Sequence, residues 1–239
     1  MMEKSSIDSL DFVEENIKYT RNAINEAAVK AGRNADDIRL MAVTKTVPPA
    51  LVNRAFQCGI RLMGENRVQE FLEKRPFLDM NGREAHLIGH LQTNKVKKIV
   101  GQVDLIQSVD SFRLAREIGK TASGLDITAD ILLEVNIGRE ESKTGFMAEQ
   151  LVESAAEIAE ENAVRIRGLM CVAPISSKIT DISLCFYKMR HLFVDISSKK
   201  IDNVYMDILS MGMSDDYFQA IAEGSNLVRL GSAIFGKRL

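Results

Sequence analysis

A lysine and two short segments that contain glycine and serine are the residues best suited to chemistry. Lys45 directly follows an apolar run in Met-Ala-Val-Thr-Lys-Thr, where partial desolvation disfavours the ammonium form and frees an amine to attack a carbonyl. Gly212 and Ser214 follow one late apolar run, and Gly231 and Ser232 follow the next. Small residues let backbone N–H groups close around an anion such as phosphate, and hydroxyls add donors. By position alone, Lys45 also fits a loop lysine whose stem covers apolar surface.

Polar side chains also follow the second and third apolar runs. Glu65, Asn66 and Arg67 form either a polar cluster that faces a ligand or a helix start at which Asn66 caps and the charges are solvated. His86 and His90 are four residues apart on a predicted strand, and no acid completes a zinc-binding set. We therefore interpret these histidines as residues with hydrogen-bond partners in the core or at its rim.

Arg229 alternates with two apolar neighbours in the last apolar run, Val-Arg-Leu. In a strand this alternation directs the guanidinium to the side opposite its neighbours, which is the interior of a closed sheet. An unpaired buried charge is costly, so the sequence predicts that Arg229 has a partner there.

The elements that must position these residues alternate in type along the chain. Short apolar runs rich in Val, Ile, Leu and Met are separated by longer amphipathic stretches, the pattern of parallel strands covered by helices. The eight runs are 38–43, 61–63, 85–88, 105–108, 131–135, 166–172, 204–209 and 227–230. They predict one (β/α)8 barrel of the TIM type over residues 1–239, with residues 1–34 as an N-terminal helical extension. An open doubly wound sheet is the alternative, but the G-x-G-x-x-G turn of that class is missing after the first run.

Local signals mark where several helices begin. Pro48 and Pro49 suit a first helical turn, and Ser111 is placed to cap the stretch that follows the fourth run. Ser214 is placed to cap the next-to-last helix. In a barrel the functional residues gather at the carboxyl ends of the strands, and phosphate is often bound after strands seven and eight. Lys45 and the two Gly/Ser segments fall at that end.

Composition excludes several classes of protein. The 239 residues include 46% hydrophobic and 27% charged residues with a net charge of -2, which argues against a general nucleic-acid binder or membrane-surface binder. Three cysteines without a C-x-x-C pair suit a reducing compartment. The N-terminus lacks a basic region followed by an apolar run, and no apolar stretch is long enough to span a bilayer. These features together predict a cytoplasmic protein.

The residues by themselves leave two chemistries open. A phosphate cradle and a reactive lysine in one barrel describe a protein that binds pyridoxal 5′-phosphate (PLP). They describe equally a Schiff-base aldolase that acts on a sugar phosphate.

Seven segments in order carry a resemblance that favours the first of these. The strings AVTKTVPP, GENRVQE, HLIGHLQTNK, EVNIGREESKTGF, RGLMCVAP, LSMGMSDDY and VRLGSAIFG resemble the YggS/PROSC family of PLP homeostasis proteins, from about residue 35 to the C-terminus. One departure is Ala85, where many members have an aromatic residue. The resemblance implies the barrel fold of the alanine racemase N-terminal domain. It also implies a Schiff base between PLP and Lys45. The other cofactor-binding residues that it implies are Asn66 near the cofactor, Ser210, Gly231 and Ser232 near the phosphate, and Arg229 facing the pyridine nitrogen.

The resemblance further implies a protein without robust catalysis. An arginine only donates hydrogen bonds, so it would leave the pyridine nitrogen unprotonated and the ring a weaker electron sink. In the racemase a tyrosine from a second domain completes the site, and we expect no such domain here. The family therefore implies a carrier and buffer in PLP (vitamin B6) homeostasis, with no metal and with transient transfer to apoenzymes that require PLP. It also makes a monomer the expected state. The alternative is a PLP-dependent amino-acid racemase of low activity.

Overall fold

The computed structural model describes residues 4–140, 143–174 and 178–236. Residues 1–3 of the predicted helical extension and residues 237–239 at the end of the predicted barrel domain lie outside this part of the chain. The same holds for Glu141 and Ser142 in the segment EVNIGREESKTGF, and for residues 175–177.

Parallel strands form a closed barrel in which each strand pairs with its neighbours in sequence and the last pairs with the first. Each of the apolar runs is a strand, so the predicted barrel is confirmed and the open sheet is wrong. The strands are Arg39–Val43 (β1), Leu62–Glu65 (β2), Glu84–Leu87 (β3), Leu105–Val109 (β4), Ala129–Glu134 (β5), Val164–Met170 (β6), Val204–Ser210 (β7) and Leu227–Leu230 (β8).

Helices connect the strands and cover the outside of the barrel. They are Lys4–Lys30 (α1), Pro49–Gln57 (α2), Val68–Lys74 (α3), Val96–Ile99 (α4), Phe112–Gly124 (α5), Leu151–Ala159 (α6), Ile179–Lys199 (α7), Tyr217–Ala222 (α8) and Ser232–Phe235 (α9). The helix that precedes the barrel, α1, packs outside it against α2, α8 and α9. Within the described part of the chain, no helix combines the length and the apolar character needed to cross a bilayer.

Two apolar layers hold the barrel together. One buried residue from each of seven strands forms the inner layer, and the outer layer lies between the strands and the helices. The inner residues are Met41, Leu62, Leu105, Leu132, Met170, Ile208 and Leu227. Since side chains alternate along a strand, residues two positions from these also face the interior, and this places Arg229 and Glu134 there.

The predicted helix starts are right in two cases and wrong in one. Pro48 and Pro49 begin α2, and Ser111 caps α5 by accepting a hydrogen bond from the Leu114 N–H. Ser214 does not cap α8; Asp216 holds the N-cap position instead. The reason is a turn in which the Asp216 carboxylate accepts from the Met213 N–H at 2.6 Å, which moves the helix start past the serine.

Candidate functional site at the barrel mouth

The six predicted site residues lie at one end of the barrel, on or directly after four adjacent strands. Lys45 follows β1, Asn66 follows β2, and Ser210 ends β7. Arg229 lies in β8, and Gly231 and Ser232 follow it. Because β1 pairs with both β2 and β8, these strands form one continuous wall. We call this carboxyl-terminal end the mouth.

Lys45 lies at the corner of a turn that leaves β1. The turn runs from Thr44 to Val47 and is closed by the Val47 N–H, which donates to the Thr44 carbonyl at 2.9 Å. Thr46 has a φ of 61°, in the left-handed region that a β-branched residue rarely adopts. Lys45 itself is half-buried. The turn thus places Lys45 at the mouth, with the residue partly shielded from solvent.

Arg229 is buried inside the barrel and donates to groups on two other segments. Its Nη1 donates to the Ser210 hydroxyl at 2.6 Å and its Nη2 to the Cys171 carbonyl at 2.8 Å. Burial lowers the pKa of Arg229, while Cys171 and the acids Asp216 and Glu134 oppose this shift. The sequence prediction of a partnered interior arginine is confirmed, although both hydrogen-bond partners are uncharged.

A chain of hydrogen bonds continues from Ser210 through the barrel. Ser210 donates to the Gln107 amide oxygen at 2.7 Å, and the Gln107 amide nitrogen lies 2.8 Å from His86 Nδ1. His86 Nε2 lies 3.4 Å from a Glu84 carboxylate oxygen, which is also 2.6 Å from Arg39. Burial lowers the pKa of His86, which favours a neutral ring that donates through Nε2. The chain joins the mouth to the opposite end of the barrel.

Ser210 lies inside the barrel, whereas Gly231 and Ser232 lie beyond the end of β8. The Ser210 hydroxyl is fully buried and already bonded to Arg229 and Gln107. Gly231 precedes α9, and Ser232 begins it. The Ser214 hydroxyl accepts from the Ala233 N–H at 3.4 Å, so the loops after β7 and β8 meet there. This meeting point brings together the two segments in which the sequence predicts a phosphate cradle.

The alternative in which Asn66 caps the next helix and the neighbouring charges are solvated does not describe Asn66 and Glu65. Arg67, not Asn66, holds the N-cap position of α3 and makes no capping hydrogen bond through its side chain. Glu65 is fully buried and accepts from the Asn66 N–H at 2.9 Å, so its charge is not solvated. Within the described residues, the Asn66 side-chain oxygen is buried and has no hydrogen-bond partner.

Sequence reasoning missed several polar residues that the structure brings to this region. Glu134 ends β5 and faces the interior; burial raises its pKa to about 7, Asp110 adds to the rise and Arg229 opposes it. Gln107 and Lys74 are buried and bonded to mouth residues. Glu134 and Gln107 could have been identified from the sequence, because each is a polar residue within an apolar run. Lys74 gave no comparable signal, because it ends a charged helix.

The two histidines agree with their interpretation. His86 is buried with the partners given above, and His90 Nδ1 lies 3.1 Å from an Asp110 carboxylate oxygen. Across the described ranges, no group of three or more His, Cys, Asp or Glu side chains is placed to hold a metal ion.

Comparison with known proteins gives the family. The sequence model described as "Alanine racemase, N-terminal domain" matches residues 10–238. The pyridoxal phosphate homeostasis protein of Aquifex aeolicus is 41% identical over 94% of this chain and 97% of its own length. The chain belongs to the family of pyridoxal phosphate homeostasis proteins. The resemblance predicted from the seven segments is therefore confirmed.

Solved structures similar to this chain include one with PLP bound. The structure of PipY from Synechococcus elongatus with PLP bound is 30% identical and has a TM-score of 0.81, with 94% of this chain and all of that chain (100%) covered. Alanine racemase of Corynebacterium glutamicum is 12% identical with a TM-score of 0.73, and the match covers 96% of this chain and 62% of the racemase. The second comparison concerns the fold alone and confirms the predicted racemase-like barrel.

Proposed function

We propose that this protein binds PLP through a Schiff base on Lys45 and acts as a carrier and buffer in PLP homeostasis, without robust catalysis. The observation that supports the proposal is the wall of four adjacent strands, at one end of which lie a half-buried lysine, a buried arginine and two loops that contain Gly and Ser. The family and the PLP-bound PipY structure support it.

The residues at the mouth fit such a cofactor. The Asn66 side-chain oxygen is a buried polar atom without a partner in the described structure, a costly state that a polar ligand would relieve. Arg229 is a buried cation with two uncharged acceptors, and its guanidinium has five donors in all. The Asn66 oxygen favours a ligand that donates a hydrogen bond, and the Arg229 guanidinium favours a ligand that offers an acceptor.

Each residue would have a distinct role toward the cofactor. When bound, PLP supplies an aldehyde that condenses with the Lys45 amine and releases one water. Arg229 would donate to the pyridine nitrogen, and its hydrogen bond to the Ser210 hydroxyl would hold the guanidinium in place. Asn66 would contact the ring, and Ser210 together with the N–H groups and hydroxyl at Gly231 and Ser232 would line the phosphate site.

The tyrosines support the absence of robust catalysis. Tyr19 is exposed on α1, Tyr187 is half-exposed on α7, and Tyr205 lies near the amino end of β7. The Tyr217 side chain is buried in the outer apolar layer. The general acid–base chemistry that the racemase obtains from a tyrosine thus has no counterpart among these side chains.

We further propose a cytoplasmic monomer that transfers PLP transiently to apoenzymes. The cysteine usage and the near-neutral net charge of -2 support this setting and make nucleic acid and membranes poor partners. Size-exclusion chromatography with light scattering tests the monomer, and PLP transfer to a purified apoenzyme tests the carrier role.

Reconstitution with PLP tests the proposal directly. We expect wild-type protein to gain a visible absorbance band and, after borohydride reduction, the mass of one pyridoxyl phosphate group. Lys45→Ala should lose both signals, because the nearby Lys74 ammonium is buried and bonded to Thr44, Glu65 and Glu70. Lys97→Ala on the exposed surface of α4 is the matched control and should retain them. Wild-type protein without a band would contradict the proposal, and a substrate-derived mass in place of the cofactor would indicate an aldolase.

One observation favours a second candidate, the PLP-dependent racemase of low activity. Glu134 faces the mouth with a pKa of about 7, suited to moving a proton near neutral pH. D-alanine formation from L-alanine above a control with free PLP, lost in Glu134→Gln, would support the racemase. Equal rates of D-alanine formation with the protein and with free PLP would contradict the racemase and leave the carrier role as the proposal.

A further inference from the structure

Three charged side chains form a buried cluster beneath the Lys45 turn. The Lys74 ammonium lies 2.9 Å from a Glu65 carboxylate oxygen and 2.6 Å from a Glu70 carboxylate oxygen. The side chains of Lys74, Glu65 and Glu70 are only 10%, 1% and 20% exposed. We call this set the Glu65–Lys74–Glu70 cluster.

The cluster contacts the residues on both sides of Lys45. Lys74 Nζ donates to the Thr44 carbonyl at 2.6 Å, and the Thr44 hydroxyl donates to Glu65 at 3.0 Å. The Glu70 oxygen that accepts from Lys74 also accepts from the Thr46 N–H. An ammonium has three N–H donors, and here Thr44, Glu65 and Glu70 provide one acceptor for each.

These contacts hold a backbone that is unfavourable by itself. Thr46 has a φ of 61°, and the left-handed region costs a residue with a Cβ about 1–2 kcal/mol. Thr46 is exposed, so burial of its side chain does not offset that cost. Such conformations persist only where the surroundings over-determine them, and they gather at functional positions. The Glu70 carboxylate is the described group that binds the Thr46 N–H.

The same cluster carries a high desolvation cost if its function is only to hold α3 against the barrel. Burying an ion pair costs desolvation that its attraction barely repays, and apolar side chains of similar size often do as well. Burial works to raise the pKa of Glu70, but hydrogen bonds from Lys74 and Thr46 outweigh it and lower the pKa, so the carboxylate stays charged. Because the desolvation cost is high, we interpret the cluster as fixing the position of the turn that carries Lys45, and not only as stabilising the fold.

We propose that the Glu65–Lys74–Glu70 cluster positions Lys45 for its condensation with an aldehyde, with Glu70 as the positioning residue that acts through Thr46 and Lys74. This rests on the proposed role of Lys45. In the step itself the neutral Lys45 amine would attack the aldehyde carbon, a C=N bond would replace the C=O bond, and the oxygen would leave as water with the two protons that the amine loses. Glu70 touches neither reacting atom; it fixes the turn from which the amine projects.

Two substitutions at Glu70 and one control separate placement from folding. Glu70→Ala removes the acceptor, whereas Glu70→Gln keeps a side-chain oxygen for Thr46 and Lys74. Glu73→Ala changes the same residue type on the exposed side of the same helix, α3. Lys74 is left unchanged, because its removal would strand a fully buried Glu65 charge and endanger folding. Far-UV circular dichroism and thermal melts check each variant.

The assay measures covalent and non-covalent binding separately. PLP is mixed with the full chain and the absorbance band is followed in time; binding of pyridoxine 5′-phosphate, which has no aldehyde, is measured by calorimetry. We expect Glu70→Ala to slow band formation by roughly tenfold to a hundredfold, the cost of a misplaced reacting group. Its affinity for pyridoxine 5′-phosphate should stay within about twofold of wild type, and Glu70→Gln should restore most of the rate.

The outcomes separate this inference from the proposed function. If wild-type protein forms no band, the proposed Schiff base on Lys45 is contradicted. If wild-type and Glu70→Ala form the band at the same rate, positioning by Glu70 is overturned while the role of Lys45 stands. Equal loss of rate and of pyridoxine 5′-phosphate affinity in Glu70→Ala also overturns it, since that result describes a general loss of structure. A slow Glu73→Ala variant would overturn it as well.

Discussion

Arg229 shows at the scale of one residue how the proposed ligand site is built. The guanidinium is 4% exposed, and its hydrogen bonds go to a hydroxyl and a carbonyl rather than to a carboxylate. A direct carboxylate partner would neutralise it and occupy its bidentate face. With neutral partners, the arginine is held in position while its charge remains available to an acceptor at the mouth.

Glu134 makes the stability of the PLP-free protein depend on pH. Its pKa is raised to about 7 from a reference of 4.5, so the folded state holds a proton that the unfolded state has already lost. Stability from this group is full below about pH 4.5 and is lost as the pH rises to about 7. Glu134→Gln removes that loss, and we expect the variant to gain about 1–3 kcal/mol on wild type between those pH values.

Urea unfolding of both proteins at a series of pH values measures this difference. Glu153→Gln, on the surface of α6, is the control and should follow wild type. A difference between Glu134→Gln and wild type that does not change with pH would show that the carboxyl group titrates as it does in the unfolded chain.

At the scale of elements, the end of α7 is a place where the local sequence and the backbone disagree. Lys200 caps this helix with φ 50° and ψ 47°, a left-handed conformation for which glycine is the usual residue. Lys200→Gly should raise the free energy of unfolding by about 0.5–1 kcal/mol, since relief of the left-handed cost exceeds the added entropy of the unfolded chain.

The neighbouring lysine provides the matched control for this cap. Lys199 is the last residue of α7, where glycine should lower the free energy of unfolding by about 1 kcal/mol. Thermal or urea unfolding measures both variants. Equal destabilisation of the two would mean that the cap conformation does not limit the helix.

At the scale of the whole molecule, the site exists only when the barrel is closed. Lys45 follows β1 and Arg229 lies in β8, and these two strands pair although they are the first and last in sequence. A ligand at the mouth therefore binds the folded state and not the unfolded chain. At about 100 times its Kd, PLP should raise the free energy of unfolding by about 2.7 kcal/mol.

Thermal melts with and without PLP test this linkage. Lys45→Ala, assayed at the same PLP concentration, should gain less stability than wild type because the covalent part of binding is missing. Pyridoxine 5′-phosphate should stabilise both proteins to a similar extent. An equal gain from PLP in wild type and Lys45→Ala would show that the lysine contributes nothing to affinity.

The sequence by itself determined the architecture and the end of the barrel at which the candidate site residues lie. Apolar runs at strand length separated by amphipathic stretches are local patterns, and they predicted every strand because burial on both faces selects the same residue types along each run. The order of the strands and the position of Lys45 and Gly231 at their carboxyl ends followed from that alternation.

Only the tertiary structure decided which polar groups meet. Ser210 bonds to Gln107, which is 103 residues away, and Arg229 bonds to the carbonyl of Cys171, 58 residues away. Glu65 was open to interpretation as a solvated charge, yet it is fully buried against Lys74. Hydrophobic periodicity records which face of an element is buried, but a hydrogen bond depends on the distant groups that barrel closure brings within reach.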